Sequence, residues 1–343
     1  MIRFDCDYTE GAHPRIIEAL TATNFEQTCG YGEDAHCERA REYIKKAIEC
    51  PDADIHFLVG ATQANMTVIA SILRPYQGVL CAESGHINCH ETGAVEATGH
   101  KVLALHHVQG KIKAAQIKDY VAAHWRDAAH EHIVQPGMVY ISQPTEYGTL
   151  YSKAELEELY AVCRELSLPL FIDGARLGYA LAADKSLTLP DIAKNCDVFY
   201  IGGTKVGCLF GEAVCIVNPD LKRDFRYMIK RMGGMLAKGR LLGIQFEEMF
   251  RDGLYFRVAE KAVENALRIK AALIEKGIPL FMDSATNQQF PVLTKAQQAA
   301  LGEKYALGFW DTTGGDADAI RICTSWASTD ENVDAIIADI KAL

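Results

Sequence analysis

Short hydrophobic runs alternate with longer amphipathic segments over the first two thirds of the chain. This alternation is typical of an α/β protein with a mostly parallel sheet. Leu156, Leu159 and Cys163 recur at helical spacing with charged residues outside that stripe, so residues 155–168 are predicted to form a covering helix. Two further crossover segments are predicted at residues 62–73 and 191–194. The predicted strands of one seven-stranded sheet are residues 55–59, 79–82, 101–105, 139–143, 170–173, 197–201 and 213–217.

The pattern changes at about residue 241. Helical periodicity runs over residues 241–250 and 258–276, and Arg251-Asp252-Gly253 marks a probable break between the two segments. Strand-like runs then follow at residues 278–282, 289–293, 306–309 and 319–324, and a closing helix at residues 330–343. The sequence therefore predicts a large domain over residues 1–240, and a connecting helix with a small C-terminal α+β domain over residues 241–343.

Composition and charge exclude several classes of protein. The chain has 343 residues, 49% of them hydrophobic, and a formal net charge of −10. No run approaches the roughly 18 to 20 apolar residues of a membrane-spanning helix, and the N-terminus lacks the apolar stretch of a signal peptide. An acidic chain without basic tracts is poorly suited to nucleic acid. We expect a cytoplasmic protein that binds a small molecule, and neither membrane nor nucleic acid.

The cysteines and histidines give no metal motif. The eleven cysteines include no C-x-x-C pair, and reduced thiols fit the cytosol. His86 and His90 would share one face of a helix, but no third ligand of suitable spacing accompanies them. We therefore expect no metal site.

Two polar clusters follow predicted strands. The motif Asp-Gly-Ala-Arg occupies residues 173–176, and Gly-Gly-Thr-Lys occupies residues 202–205. Ligands of open α/β sheets bind at the carboxyl ends of strands, so both clusters point to one crevice. Lys205, if partly desolvated, would supply a neutral amine able to form a Schiff base. Asp173 suits the protonation of a pyridine nitrogen.

Each motif also has an ordinary explanation. Asp173 alone is equally compatible with capping a turn, and Lys205 alone with a position on a surface loop; their joint occurrence after neighbouring strands favours a site. Gly60, Ala61 and Thr62 follow a third strand and begin a helix, where backbone N–H groups and the positive helix end suit a phosphate. By itself this segment is an ordinary strand-to-helix turn.

Together these segments resemble the threonine aldolase branch of the β-eliminating lyase group, within the fold type I enzymes that use pyridoxal 5′-phosphate. The likeness covers nearly the whole chain, through residues 5–8, 31–34, 82–86 and 321–324, and its most specific parts are the two motifs above. The resemblance implies a pyridoxal-phosphate-dependent lyase. Its reaction would cleave the Cα–Cβ bond of L-threonine, L-allo-threonine or a related β-hydroxy-α-amino acid to glycine and an aldehyde.

The resemblance also implies roles in holding the cofactor. Lys205 would carry it as a Schiff base, Asp173 would pair with its pyridinium nitrogen, and His86 would stack on its ring. Arg176 would lie near the 3′-oxygen and contribute to substrate binding. The segment Gly60-Ala61-Thr62 would hold the phosphate.

Substrate contacts are implied for residues from both ends of the chain. Arg321 matches the arginine that binds the α-carboxylate, for which a planar guanidinium is suited. Tyr31 and the segment 230–235 match parts of the family that reach a neighbouring subunit, although a solvated helix followed by a glycine turn is an equal reading of that segment. The family implies a homodimer or a tetramer built from dimers, with shared active sites.

Two positions depart from the family pattern. Glu146 ends the stretch Gln-Pro-Thr-Glu where threonine aldolases typically have Glu-Asn-Thr-His, so a carboxylate replaces a histidine associated with the β-hydroxyl. Either Glu146 takes over as the catalytic base, or the chain is a β-eliminating lyase that acts on another amino acid. Cys6 stands where the family usually has serine, which puts a hydroxyl contact to the substrate carboxylate in doubt.

Two other classes of protein have little support. A dehydrogenase or another nucleotide-binding protein is disfavoured because no Gly-x-Gly-x-x-Gly follows a strand, and Gly-Thr-Lys at residues 203–205 reverses the order of a P-loop. A regulator that keeps the fold without catalysis is disfavoured because the chain has no basic patch for DNA.

Overall fold

A seven-stranded sheet forms the centre of the computed structural model, which describes residues 1–343. A four-stranded sheet and a two-stranded ribbon accompany it. The strands are β1 (Ile2–Arg3), β2 (Asp54–Leu58), β3 (Gln77–Ala82), β4 (Lys101–Leu105), β5 (Gln135–Ser142), β6 (Leu170–Asp173), β7 (Val198–Gly202), β8 (Glu212–Ile216), β9 (Leu280–Met282), β10 (Gln288–Thr294), β11 (Tyr305–Ala306), β12 (Gly308–Thr312) and β13 (Ala317–Cys323).

Helices cover both faces of the large sheet. The α-helices are α1 (Pro14–Ala22), α2 (Ala35–Ala47), α3 (Ala61–Ile72), α4 (His86–Cys89), α5 (Ala114–Arg126), α6 (Lys153–Glu165), α7 (Leu177–Ala183), α8 (Leu189–Lys194), α9 (Phe225–Arg231), α10 (Arg240–Phe250), α11 (Leu254–Glu275), α12 (Lys295–Gly302) and α13 (Asp330–Ala342). The predicted break at residues 251–253 is confirmed, because α10 ends and α11 begins there, with Gly253 in the left-handed region at φ 76°.

The large sheet has the order β2-β8-β7-β6-β5-β3-β4. Only β8 runs antiparallel to its neighbours β2 and β7; the other pairs are parallel. The predicted α/β class and all seven predicted strands are confirmed. Strand β5 begins four residues earlier than predicted, because Gln135 and Pro136 pair with β3 although proline is a weak strand former, and Gly137 is passed over where the register shifts. The carboxyl ends of the six other strands and the start of β8 therefore meet at one edge.

Side chains of successive strand residues enter two hydrophobic clusters. Ile141 and Ile172 pack with α6 and α10 in one cluster, whereas Tyr140 and Phe171 pack with α3 and α9 in the other. This alternation follows from the two-residue period of a strand. Both faces are buried, which explains why the parallel strands are apolar throughout.

The C-terminal part has its own antiparallel sheet, in the order β12-β13-β10-β9. A third hydrophobic cluster joins this sheet to α11 and α13 and includes Phe4 from the N-terminus. The prediction of a single strand at residues 306–309 is wrong. The structure has two strands in this region, because β11 pairs with β1 while β12 pairs with β13. The N-terminal strand thus belongs to the smaller unit in space.

None of the helices combines the length and the apolar composition needed to cross a membrane.

Candidate active site

Asp173 and Lys205 follow the neighbouring strands β6 and β7, whose ends approach each other closely. The Gly202 amide donates a hydrogen bond to the Gly174 carbonyl at 2.9 Å. A Cβ atom on Gly174 would collide with the carbonyl of Tyr200. The glycine in each motif therefore allows the aspartate and the lysine to lie at the same point of the sheet edge.

Asp173 is a buried carboxylate with several donors. It is 5% exposed. Its Oδ2 accepts hydrogen bonds from the Tyr140 hydroxyl at 2.5 Å and from Asn65 Nδ2 at 3.1 Å, and its Oδ1 accepts one from the Ala175 amide at 3.0 Å. Burial by itself raises the pKa of Asp173, but the neighbouring His86 and these donors lower it overall. Asp173 is therefore an anion at neutral pH.

Lys205 lies beside Asp173 without an ion-pair partner of its own. Burial and the positive charge of Arg176 lower the pKa of the Lys205 amine, against the opposite effect of nearby carboxylates. Its Nζ lies 5.8 Å from the centre of the Tyr8 ring, and the Tyr179 hydroxyl donates to its carbonyl at 2.5 Å. A lysine with a lowered pKa in such surroundings is suited to nucleophilic attack on a carbonyl.

The turn before Lys205 is fixed by a second buried carboxylate. Glu212, at the start of β8, accepts a hydrogen bond from the Thr204 hydroxyl at 2.8 Å and from the Gly203 amide at 3.2 Å. Burial raises the pKa of Glu212. The lysine thus follows a turn in which the Gly203 amide and the Thr204 hydroxyl are both hydrogen-bonded to Glu212.

Arg176 forms a two-pronged ion pair with Asp7. Its Nε and its second terminal nitrogen lie 2.7 and 2.9 Å from the two carboxylate oxygens. Asn287 also donates to Asp7 at 2.9 Å. Although burial opposes ionisation, Arg176 and Lys205 lower the pKa of Asp7 to about 2. The N-terminal segment, the large sheet and the small sheet therefore meet at this carboxylate.

His86 and Glu146 come together from the loops after β3 and β5. The His86 amide donates to Glu146 Oε1 at 2.9 Å, and the Ser142 hydroxyl donates to the same oxygen at 2.7 Å. Burial, reinforced by the negative charge of Asp173, raises the pKa of Glu146 despite these donors. The Nδ1 atom of His86 lies 2.8 Å from Glu91 Oε1.

The start of α3 borders the same site. Gly60 precedes the helix, and no side chain caps its first turn. A Cβ atom on Gly60 would meet nothing within 4 Å, so the space before the helix is open. Ala61 lines a narrow pocket together with Asp173 and Lys205, and Thr62 is exposed in the first turn. The N–H groups at this helix end are available to an anion.

Arg321 reaches the site from β13 of the small sheet. One terminal nitrogen donates to the Asp5 carbonyl at 2.9 Å, whereas its Nε is buried without a hydrogen-bond partner. The guanidinium lies over the Trp310 ring, 5.6 Å from its centre. Arg321 and Lys205 line one cleft of about 680 Å³.

Cys6 and Tyr31 differ in their relation to this cleft. Cys6 is half-buried in the N-terminal segment, and burial raises the pKa of its thiol. Tyr31 is 49% exposed and lies outside the cleft of its own chain, with Lys230 Nζ 5.3 Å from its ring centre. Of the predicted site residues, the structure brings together those that line the cleft or the narrow pocket beside it, whereas Cys6 and Tyr31 line neither; the lining residues are Ala61, His86, Glu146, Asp173, Arg176, Lys205 and Arg321.

Several polar residues of the site went unassigned by the sequence reasoning. Asn65, Tyr140 and Ser142 are polar side chains at buried positions of α3 and β5, which is the only signal that the sequence offers for them, and the others lie in loops. The unassigned residues are Asp7, Asn65, Glu91, Tyr140, Ser142 and Asn287.

The fold, and the position of Asp173 and Lys205 after neighbouring strands, are those of a lyase in the fold type I class of pyridoxal 5′-phosphate enzymes. Cystalysin from Treponema denticola, whose structure contains pyridoxal 5′-phosphate, shares the fold with a TM-score of 0.71 at 15% identity, over 100% of this chain and 90% of that one. The chain belongs to the beta-eliminating lyase family, whose model matches residues 6–296.

Threonine aldolases are among the relatives. A low specificity L-threonine aldolase of Pseudomonas aeruginosa is 31% identical over 344 residues, which are 99% of this chain and 97% of that protein. The threonine aldolase of Leishmania major is 42% identical with a TM-score of 0.96, over 100% of this chain and 99% of that one. The resemblance predicted from the sequence is confirmed.

Proposed function

We propose that this protein is a pyridoxal-phosphate-dependent lyase that cleaves L-threonine, L-allo-threonine or a related β-hydroxy-α-amino acid to glycine and an aldehyde. The observation that carries the proposal is the pair formed by Lys205 and Asp173 at neighbouring strand ends, in a chain 42% identical to a threonine aldolase. When bound, the cofactor withdraws electrons from the Cα–Cβ bond that breaks. The chain's own residues bind the substrate, orient it and exchange protons with it.

The residues present fit the cofactor. Lys205 offers an amine of lowered pKa for covalent attachment, and Asp173 offers a buried anion for a pyridinium nitrogen. The uncapped start of α3, at Gly60, Ala61 and Thr62, offers free N–H groups and open space for the phosphate. His86 and Arg176 line the same narrow pocket as Lys205, which supports the roles proposed for them at the ring and the 3′-oxygen.

Arg321 is proposed to bind the α-carboxylate of the substrate. Its buried Nε has no partner in the protein, and a planar guanidinium binds a carboxylate through two parallel hydrogen bonds. Trp310 supports its flat face. The half-buried Cys6, directly before the ion-paired Asp7, lies close enough to feel the charge of Arg321 but supplies a weaker donor than serine.

Replacing Arg321 with lysine is expected to raise KM for L-threonine about 10- to 100-fold, because a point charge replaces the two-pronged contact. Steady-state kinetics measure this change, with Arg74→Lys, an exposed position, as the matched control. An unchanged KM in Arg321→Lys would show that the carboxylate binds elsewhere.

Glu146 is proposed to be the base that takes the proton of the β-hydroxyl. Its pKa is raised by burial and by Asp173, so it can exchange a proton closer to neutral pH than an ordinary glutamate. The hydrogen bonds from His86 and Ser142 orient it without neutralising it. A carboxylate thus takes the part that a histidine takes in many relatives of this type.

Changing Glu146 to glutamine is expected to lower kcat about 10²-fold. A base acts in its deprotonated form, so wild-type kcat should rise with pH through the raised pKa of Glu146, above the roughly 4.3 of a free glutamate. The pH profile of kcat measures this, and the rise should disappear in Glu146→Gln. Glu157→Gln, at an exposed carboxylate of α6 outside the cleft, is expected to keep the rise. The same rise in both variants would exclude Glu146 as the base.

A substrate assay tests the proposed function against the alternative that the replacement of histidine by Glu146 suggests, a β-eliminating lyase that acts on another amino acid. The purified holoenzyme is given L-threonine, and glycine and acetaldehyde are measured. In parallel it is given L-serine or L-cysteine, and pyruvate and ammonia are measured. We expect aldehyde release from L-threonine to exceed pyruvate formation. The reverse ratio would establish β-elimination instead.

We also propose a cytoplasmic homodimer or a tetramer built from dimers, with a large cofactor-binding domain over residues 1–240 and a smaller unit over residues 241–343. Tyr31 would then serve a neighbouring subunit's cleft. The exposed rings of Tyr31 and of Phe25, which is 94% exposed, support burial against another copy. Sedimentation at several concentrations tests the assembly, and a stable monomer with full activity would contradict it.

A further inference from the structure

A buried amide lies between two carboxylates of the site. Asn65 Nδ2 is 3.1 Å from Asp173 Oδ2 and 2.7 Å from Glu91 Oε1. Asn65 has no exposed surface, and its Oδ1 has no hydrogen-bond partner. An ionised carboxylate only accepts hydrogen bonds, so the two N–H groups of the amide must face the two carboxylates. The Asn65 side chain, on the buried face of α3, thus links the carboxylates of Asp173 and Glu91.

Glu91 extends this link to the imidazole of His86. The same Oε1 atom lies 2.8 Å from His86 Nδ1, so the Nδ1 proton points to Glu91 and Nε2 is left free. Glu91 is 6% exposed, and its other oxygen has no partner. A buried carboxylate is costly unless it is hydrogen-bonded, and Asn65 and His86 supply those bonds.

We propose that Asn65 and Glu91 are positioning residues that hold Asp173 and His86 as one rigid unit. These are the two side chains assigned to the cofactor ring, so the inference rests on the proposed function. Asn65 acts on Asp173, and Glu91 acts on His86. The unit joins α3, β6 and α4, three elements that the backbone alone does not fix against one another.

The size of the effect follows from the burial of these contacts. Removing the Asn65 amide takes away one of the two hydrogen bonds at Asp173 Oδ2 and one of the two at Glu91 Oε1, and lets both side chains move. Such a loss corresponds to about 10- to 100-fold in rate when the affected group acts in the transition state. Binding of the substrate carboxylate depends on Arg321, which is not part of the unit, so KM should respond little.

The first test is Asn65→Leu in the full-length holoenzyme, which removes both N–H donors at similar volume. We expect kcat for L-threonine to fall about 10- to 100-fold while KM stays within about threefold. The visible absorption band of the bound cofactor should shift as well, because Asp173 is held less firmly. An unchanged band and kcat in Asn65→Leu would overturn the role of Asn65.

Asn218→Leu is the matched control. Asn218 donates to the buried Asp197 at 2.7 Å, and both lie at the opposite edge of the sheet, where β7 begins and β8 ends. The control therefore removes the same kind of hydrogen bond away from the site. It should lower the melting temperature without changing the band or kcat. Equal losses of kcat in both variants would indicate general destabilisation and overturn the proposal.

The second test addresses Glu91 and does not depend on how Asn65→Leu folds. Glu91→Gln keeps an acceptor for His86 and should retain kcat within about fivefold, whereas Glu91→Leu should lose about 10- to 100-fold. In a His86→Phe background, Glu91→Leu should add less than about a twofold loss, because Glu91 acts through His86. Additive losses would overturn that role.

Failure of the proposed function is distinguishable from failure of this inference. A wild-type protein that gains no visible band with added pyridoxal 5′-phosphate would contradict the function itself. A normal wild-type band, with unaltered bands and kcat in the Asn65 and Glu91 variants, would overturn only the positioning roles.

Discussion

Replacing Lys205 with alanine is expected to lower kcat for L-threonine by at least about 10⁴-fold, because the chain loses the amine proposed to attach the cofactor. Burial and Arg176 lower the pKa of this amine, so that a neutral fraction is available near neutral pH. No other lysine lines the narrow pocket beside Asp173.

The measurement is borohydride reduction followed by the intact mass of the protein. Wild-type protein should gain the mass of one reduced cofactor per chain, and Lys205→Ala should gain none. Lys46→Ala, an exposed lysine of α2, is the control and should behave like the wild type. A cofactor still attached to Lys205→Ala would place the attachment at another residue.

Asp173→Asn is expected to lower kcat about 10³-fold, the size found when a preorganised electrostatic partner is removed. The amide keeps the volume but carries no charge, so a pyridine nitrogen beside it would no longer hold its proton. The Tyr140 hydroxyl and Asn65 would still donate to the amide oxygen, which keeps the change local.

Two readouts separate this effect from misfolding. The absorption spectrum of the bound cofactor should change in Asp173→Asn, and the far-ultraviolet circular dichroism should not. Asp119→Asn, an exposed position on α5, should alter neither. Activity within tenfold of wild type in Asp173→Asn would remove this carboxylate from the catalytic mechanism.

The sequence predicted the site residues that lie beside a recognisable local pattern, such as a buried apolar strand. Asp173 and Lys205 each end a buried apolar strand, and parallel strands bring their carboxyl ends together. Arg176 was predicted at the cofactor, but its ion pair with Asp7 was not. That contact joins residues 169 positions apart, a separation that hydrophobic periodicity does not register.

The same limit applies to Asn65 and to the ribbon of β1 and β11. Asn65 contacts Asp173 across 108 positions. Strand β1 is only two residues long, and its pairing with β11 is set by packing of Phe4 in the third hydrophobic cluster. The strands of the large sheet followed from the local pattern, whereas β1, the division of residues 305–312 into β11 and β12, and the side-chain partners depended on tertiary structure.

The long-range contacts of Asp5 and Asp7 also determine how late in folding the site can form. Asp7 contacts Asn287, 280 positions away, and Arg321 contacts Asp5, 316 positions away. A ribosome releases the N-terminal residues first, and contacts of such long sequence separation form late in folding. The first seven residues can therefore make these contacts only after almost the entire chain has been synthesised. A newly made molecule is expected to acquire its cofactor only after synthesis is complete.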